Sequence, residues 1–270
     1  MTSDVERQLI AEEVRALREK RGLTQDELAR RIGFSLSTVK NIESGYRVPT
    51  REQARLVDEV FDTAGTLRRL EARIRAAPIS PGFRPFVAAE ADARTLKWFE
   101  HTLVPGLLQT KDYARILVEA YPGLTEDEVA ARVEAKLRRQ LVLDTDEPPW
   151  LWAIIDEQVL RRDVGGPEVM AAQLAKLTEF AHRPRVTIQV LSAARTHSAL
   201  LGGFVIAELA RQPAVAYLDN VLDGQTVHDP AMVEMTAVVF DTIRTDAFSG
   251  GKSLELIEEG VRRWKQRIAS

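Results

Sequence analysis

Residues 25–44 read Gln-Asp-Glu-Leu-Ala-Arg-Arg-Ile-Gly-Phe-Ser-Leu-Ser-Thr-Val-Lys-Asn-Ile-Glu-Ser, and the fold of the first third of the chain follows from how they divide. Leu28, Ala29 and Ile32 share one side of a helix starting near Gln25, while Val39 and Ile42, three apart, give a second helix an apolar edge. Thr24 predicts an N-cap with Glu27 at capping-box spacing, and Ser35 caps the second helix. Gly33 lies where the turn between them needs positive φ. A small residue is expected where the two helices cross most closely, and Ala29 is there. An ordinary αα-hairpin would satisfy the apolar spacing, but not the whole phrase.

Ahead of the motif, residues 4–21 predict a first helix with Val5, Leu9, Ile10, Val14 and Leu17 in one stripe. Gly45 and Pro49 end the second motif helix, and Thr50 caps a fourth over about 50–62, with Gln53 closing the box. A fifth helix spans Thr66–Ala76 and is rich in arginine. Pro78, Pro81, Gly82 and Pro85 then mark a linker, so the chain is read as 1–76, a linker 77–86 and a larger domain 87–270.

The phrase from Arg18 through Gly22-Leu23-Thr24-Gln25 to Ile42-Glu43-Ser44-Gly45 resembles the Cro and phage-repressor (XRE) helix-turn-helix family over about residues 8–62. The resemblance implies that the second motif helix enters the major groove of double-stranded DNA. Carried over position by position, Gln25 meets a phosphate, Leu36, Ser37 and Asn41 meet base edges, and Ser35, Thr38 and Lys40 meet backbone or bases. Arg47 and Arg51 hold phosphates. Asn41 is the residue expected to specify, because its amide pairs bidentately with adenine. Leu36 departs from the polar residue common at its position, so it meets a thymine methyl or makes no contact. The family pattern also pairs Arg18 with Glu43 in a buried structural ion pair; a phosphate contact is the other reading of Arg18.

Net charge is −3, unusual for a nucleic-acid binder, but its distribution is uneven. Residues 1–76 hold 15 Lys and Arg against 13 Asp and Glu, and the rest of the chain is acidic. Within 30–55 the bases are Arg30, Arg31, Lys40, Arg47, Arg51 and Arg55 against Glu43 and Glu52. A solvated charged face produces such a run just as well; its coincidence with the motif is what gives it meaning. Cysteine is absent, which excludes disulfides and thiolate sites and fits a reducing cytoplasm. No apolar run is long enough to span a membrane, and Met-Thr-Ser-Asp-Val-Glu-Arg carries no signal-peptide core, so a cytoplasmic protein is expected.

Beyond the linker, residues 87–100 look helical or mixed, and Pro105-Gly106 marks a turn before a helix from Thr110 carrying Tyr113, Ala114 and Leu117. Thr125 and Glu128 box the start of a strong helix over 125–143. Trp150–Asp156 predicts a buried strand, Pro167–Ala181 a helix and Arg185–Leu191 a strand. Phe204–Leu209 and Ala214–Leu218, split by Arg211-Gln212-Pro213, predict a hairpin. Residues 230–247 and 252–268 are helical again. The fold class is therefore mainly α: a five-helix bundle with a helix-turn-helix, then a larger α+β domain with a small sheet. Pro105-Gly-Leu-Leu-Gln-Thr110 followed by Tyr113-Ala114 is similar to the hallmark of the uncharacterised C-terminal domain that follows XRE-type motifs in many actinobacterial regulators, and the likeness runs over nearly all of 85–268.

Catalytic chemistry is hard to find. His101, His182, His197 and His228 are scattered without metal-ligand spacing, so no metal site and no cofactor are expected. No nucleophile elbow, acid-base pair or cofactor fingerprint occurs, and the chain is not expected to be an enzyme. The polar stretch Arg195–Gly203 enters a buried strand, and with Trp98, Trp150, Trp152, His197 and Tyr217 it would rim a ligand pocket; a plain core beside a loop answers to the same residues.

The expected function is a sequence-specific transcriptional regulator. One head is too small for specific affinity, so a homodimer reading half-sites ~34 Å apart is expected, with 85–268 supplying the interface. The resemblance implies that this domain receives a small-molecule effector or a small partner protein encoded nearby. The alternative is an antitoxin-like or adaptor module that recruits a partner to DNA.

Overall fold

The computed structural model describes residues 2–76, 79–192, 202–220 and 224–269 and divides into two compact units, Met1–Arg84 and Pro85–Ser270. Ala77 and Pro78 of the expected linker lie outside the described residues.

The first unit is built of α1 (Thr2–Lys20), α2 (Gln25–Ile32), α3 (Leu36–Glu43), α4 (Arg51–Phe61) and α5 (Thr66–Ala76). Its core joins Ile10 and Val14 of α1 to Leu28, Ala29 and Ile32 of α2, Val39 and Ile42 of α3, Ala54, Val57 and Phe61 of α4, and Leu67 of α5. Two of these helices start at capping boxes, Thr24 with Glu27 and Thr50 with Gln53, as the spacing predicts. The α4–α5 corner is held by the buried carboxylate of Asp58, which accepts from the Leu67 and Arg68 amides at 2.8 and 3.0 Å and so caps α5.

The second unit runs α6 (Arg84–Ala91), β1 (Ala93–Glu100), α7 (Lys111–Glu119), α8 (Glu126–Gln140), β2 (Trp150–Asp156), α9 (Pro167–Ala181), β3 (Val186–Leu191), β4 (Phe204–Leu209), β5 (Val215–Leu218), β6 (Gln225–Val227), α10 (Pro230–Asp246) and α11 (Gly250–Ile268). Among the described residues the strands form one sheet in the order β3-β2-β1-β4-β5-β6. β1, β2 and β3 are parallel; β4, β5 and β6 continue antiparallel from β1. The central strand β1 occupies residues that the sequence pattern left helical or mixed. Its charges disguise it: Lys97 is compensated by Glu208 of β4 at 2.7 Å, a contact between residues far apart in the chain.

Each face of the sheet has its own cover. Phe99, Ile154, Phe204 and Ile206 pack against Val233, Phe240 and Ile243 of α10. On the opposite face, the ring of Trp98 lies against the turn at Gly106, which packs on α8 and α9. Helices α9 and α11 pack closely where Gly260 leaves room: a Cβ there would lie 2.8 Å from Leu174 Cδ1. The Trp264 indole donates to the Leu160 carbonyl at 2.9 Å and ties α11 to the loop after β2. Among the described residues, no helix is long and apolar enough to cross a membrane.

Candidate nucleic-acid interface

The motif assembles from its caps inward. Gly33 closes α2 at φ 71° and returns its amide to the Ala29 and Arg30 carbonyls; Ser35 then caps α3 by accepting the Thr38 amide at 3.2 Å. Leu28, Ala29 and Ile32 are buried against Val39 and Ile42, so the opposite side of α3 is left to solvent. Ser35, Ser37, Lys40 and Asn41 are exposed there, with Leu36 and Thr38 half-buried. The hydroxyls of Ser37 and Thr38 each lie 2.9 Å from that of Ser35, which fixes three polar groups at the N-terminal end of the helix.

One carboxylate holds the three helices in register. Glu43 is 1% exposed and takes the Arg18 guanidinium in a fork, Nε to Oε1 at 2.6 Å and Nη2 to Oε2 at 3.0 Å. The remaining Nη1 of Arg18 donates to the Leu23 carbonyl at 2.8 Å. These contacts occupy the guanidinium and hold its charge further up, the hydrogen bond to Glu43 being the main cause. Gln25, expected at a phosphate, donates its amide nitrogen to Glu43 Oε2 at 2.9 Å, leaving its second amide hydrogen for another acceptor. Arg15, three residues before Arg18, donates to the Glu43 main-chain carbonyl at 2.6 Å; sequence reading missed it, although the spacing puts both arginines on one side of α1.

The chain after α3 folds back onto it. The Arg47 amide donates to the Asn41 carbonyl at 3.0 Å, and the Ser44 hydroxyl donates to the same oxygen at 3.2 Å. This turn presents Tyr46, 71% exposed, beside the expected reading surface, a large aromatic that sequence reading passed over. Charge sorts in the same direction. Arg30 is paired with Asp26 at 2.7 Å, and Arg55 with Glu52 at 2.6 Å and with Glu59. Among the described residues, Arg31, Lys40, Arg47 and Arg51 have no carboxylate partner within 4.0 Å. Lys40 lies on α3, Arg47 in the turn after it and Arg51 at the start of α4, which leaves their charge available to an anionic ligand.

The aromatic pocket expected in the second unit is not assembled. In register, Trp98 of β1 stands beside Val205 of β4, which stands beside Tyr217 of β5, so Trp98 and Tyr217 share a face. Trp152 pairs with Lys97 and so belongs to the other face, where it stacks with Arg244 at 4.9 Å; Trp150, two residues earlier on β2, follows it and is 46% exposed. Side chains alternate along a strand, so these four residues cannot rim one cavity. His197 and most of the adjoining polar stretch lie outside the described residues.

What the same region does collect is charge. Glu100 ends β1, accepts the Trp98 indole at 3.2 Å and is pushed up to about 8, chiefly by burial. Lys136 of α8 is pushed down to about 8 by the same cause. Asp219, exposed and directly after β5, is also raised by partial desolvation, and burial raises Tyr113 to about 12.

Two family models match the chain. One, described as helix-turn-helix, covers residues 14–75; the other, described as a domain of unknown function (DUF5753), covers residues 83–259. No curated protein and no solved structure matches it.

Proposed function

The chain belongs to the DUF5753 family and carries an XRE-type helix-turn-helix ahead of that domain, and on this premise we propose that it is a sequence-specific transcriptional regulator that binds DNA as a homodimer. The helix-turn-helix makes it a DNA-binding regulator; specificity, dimerisation and sensing are our reading. The observation that carries it is the surface of α3: Ser37, Lys40 and Asn41 exposed in one stretch, followed by Arg47 and Arg51, all three bases without internal partners among the described residues. Asn41 reads a base pair, Arg47 and Arg51 grip phosphates, and Arg18 and Glu43 hold α3 at the angle that reading requires.

A single head buries too little surface for typical specific affinity, so two heads act together on half-sites ~34 Å apart. Pro85–Ser270 joins the copies and receives the signal, working by binding rather than by turnover. A second reading gives this unit a small partner protein as its ligand. It is favoured by the exposed Met232, Met235 and Val238 of α10, spaced three apart along one side of that helix. Footprinting of the full chain on the DNA upstream of its own gene tests the first reading. Two protected half-sites one turn apart support it; protection no stronger than on unrelated DNA contradicts it. A monomeric mass at micromolar concentration would contradict the dimer.

A further inference from the structure

The end of the sheet at which β1 stops gathers residues from distant parts of the second unit. β1 ends there with Glu100 and is followed by His101; β4, running the other way, begins there just after Gly203, and β5 ends there just before Asp219. The Asp219 amide donates to the Gly203 carbonyl at 3.0 Å, which fixes the two connections to each other. Gly203 also makes room for the acid: a Cβ at that position would lie 2.8 Å from Glu100 Oε2. The other carboxylate oxygen, Oε1, is held by Trp98. This is the carboxyl edge of the parallel strands, where open sheets customarily receive ligands.

The charges here do not close on one another. Lys136 is near enough to Glu100 and Asp219 to influence both, yet among the described residues neither Glu100 nor Lys136 has an opposite charge within 4.0 Å. On the same helix, Arg139 shows what a closed pair looks like: it takes Glu90 in a fork at 2.8 and 2.7 Å. Near this edge, on the α10 side where its ring stacks on Phe99, His101 has Nδ1 buried without a partner among the described residues. Glu100 and Lys136 are half-buried and Asp219 is exposed, so a ligand can reach all three, and a partly desolvated polar group without a partner gains when a ligand brings the missing one.

We propose that this edge binds a small zwitterion of the α-amino acid class, its ammonium between Glu100 and Asp219 and its carboxylate on Lys136. A simple cation would leave Lys136 without a counter-charge, and a simple anion would leave the Glu100 and Asp219 carboxyls unused; one molecule bearing both charges engages all three. The raised Glu100 and lowered Lys136 are groups whose ionised forms an oppositely charged ligand would restore. The groups acting on Glu100 are Trp98, Asp219 and Lys136; those acting on Lys136 are Arg139, Glu100, Asp219 and Glu90. Because the ligand's ammonium favours the carboxylate form, binding below pH 8 releases a proton from Glu100.

The inference supplies the sensing role proposed above with a ligand class and rests on that reading only for the effect on DNA. Calorimetric titration of the full chain, without DNA, against each standard L-amino acid tests it, with acetate and methylammonium as half-ligands. At least one amino acid is expected to bind saturably, and Glu100→Gln and Lys136→Met each to weaken it by about tenfold or more, as loss of a charged hydrogen bond does. A variant-free readout stands beside these: the apparent enthalpy at pH 7 should change with the ionisation enthalpy of the buffer, in the sense of proton release. No binding by any amino acid, binding unaltered in both folded variants, equal binding of acetate alone, or an enthalpy independent of buffer would overturn the proposal. If an amino acid binds as expected and DNA affinity does not change, the site stands and the sensing role falls.

Discussion

Arg18 and Glu43, 25 residues apart, meet in a two-point contact of 2.6 and 3.0 Å that ties α1 to the last residue of α3. Glu43 is 1% exposed and the Arg18 side chain 12%, so solvent screens the pair poorly. Gln25 joins the same carboxylate from the start of α2. Helices α1, α2 and α3 therefore converge on one buried charge.

Removal of either partner should leave an uncompensated buried charge and cost about 3–5 kcal/mol. All four tryptophans lie beyond residue 85, so their fluorescence follows the second unit, while far-UV circular dichroism follows both. In Glu43→Ala, the dichroism transition in urea should begin at lower denaturant and the fluorescence midpoint should stay. A dichroism curve that overlays the parent would remove the pair from its structural role.

Asn41 and Arg47 should fail in different ways. Asn41→Ala should cost roughly 1–3 kcal/mol at one base pair of the site and relax preference there. Arg47→Ala should weaken all sequences alike and flatten the dependence of log affinity on log salt by about one unit. Anisotropy titrations on single-base-pair variants of the site, at several salt concentrations, separate the two. Uniform weakening by both substitutions would refute the division of labour.

The charged edge of the sheet should leave a pH signature in the ligand-free chain. Glu100 has an ordinary value of 4.5 and is raised to about 8 on folding, so the folded state holds this proton more tightly than the unfolded one. Its contribution favours folding at low pH and is lost as pH rises from 4.5 through 8. Lys136 falls from 10.5 to about 8, so its penalty is full below 8 and is relieved as pH rises toward 10.5. Glu100→Gln should therefore gain stability over the parent as pH is raised from 5 to 8, and Lys136→Met should gain most below 8, both read from the urea midpoint of tryptophan fluorescence. A constant difference across this range would contradict the assignment.

Local chemistry made the first unit legible. The capping boxes at Thr24 and Thr50, the αL glycine at 33 and the apolar spacing of Leu28, Ile32, Val39 and Ile42 all act within a few residues, and the structure contains each. β1 was illegible because Lys97 and Glu100 look like surface charges until Glu208 and the sheet edge are placed around them. The misplaced pocket has the same root: once β1 is a strand, its register with β2 puts Trp98 and Trp152 on opposite faces. Glu100, Lys136 and Asp219 come together only through the topology of the sheet and α8, which no short-range spacing encodes.

Reading of DNA sequence is assigned above to the exposed side of α3. Selection of bound duplexes from a randomised library by the full chain, in parallel with Asn41→Ala, measures this directly. The parent should enrich a site of two related half-sites one helical turn apart, and Asn41→Ala should lose information at one matching position in each. A bound pool whose base composition equals the input, or identical enrichment by parent and variant, would contradict it.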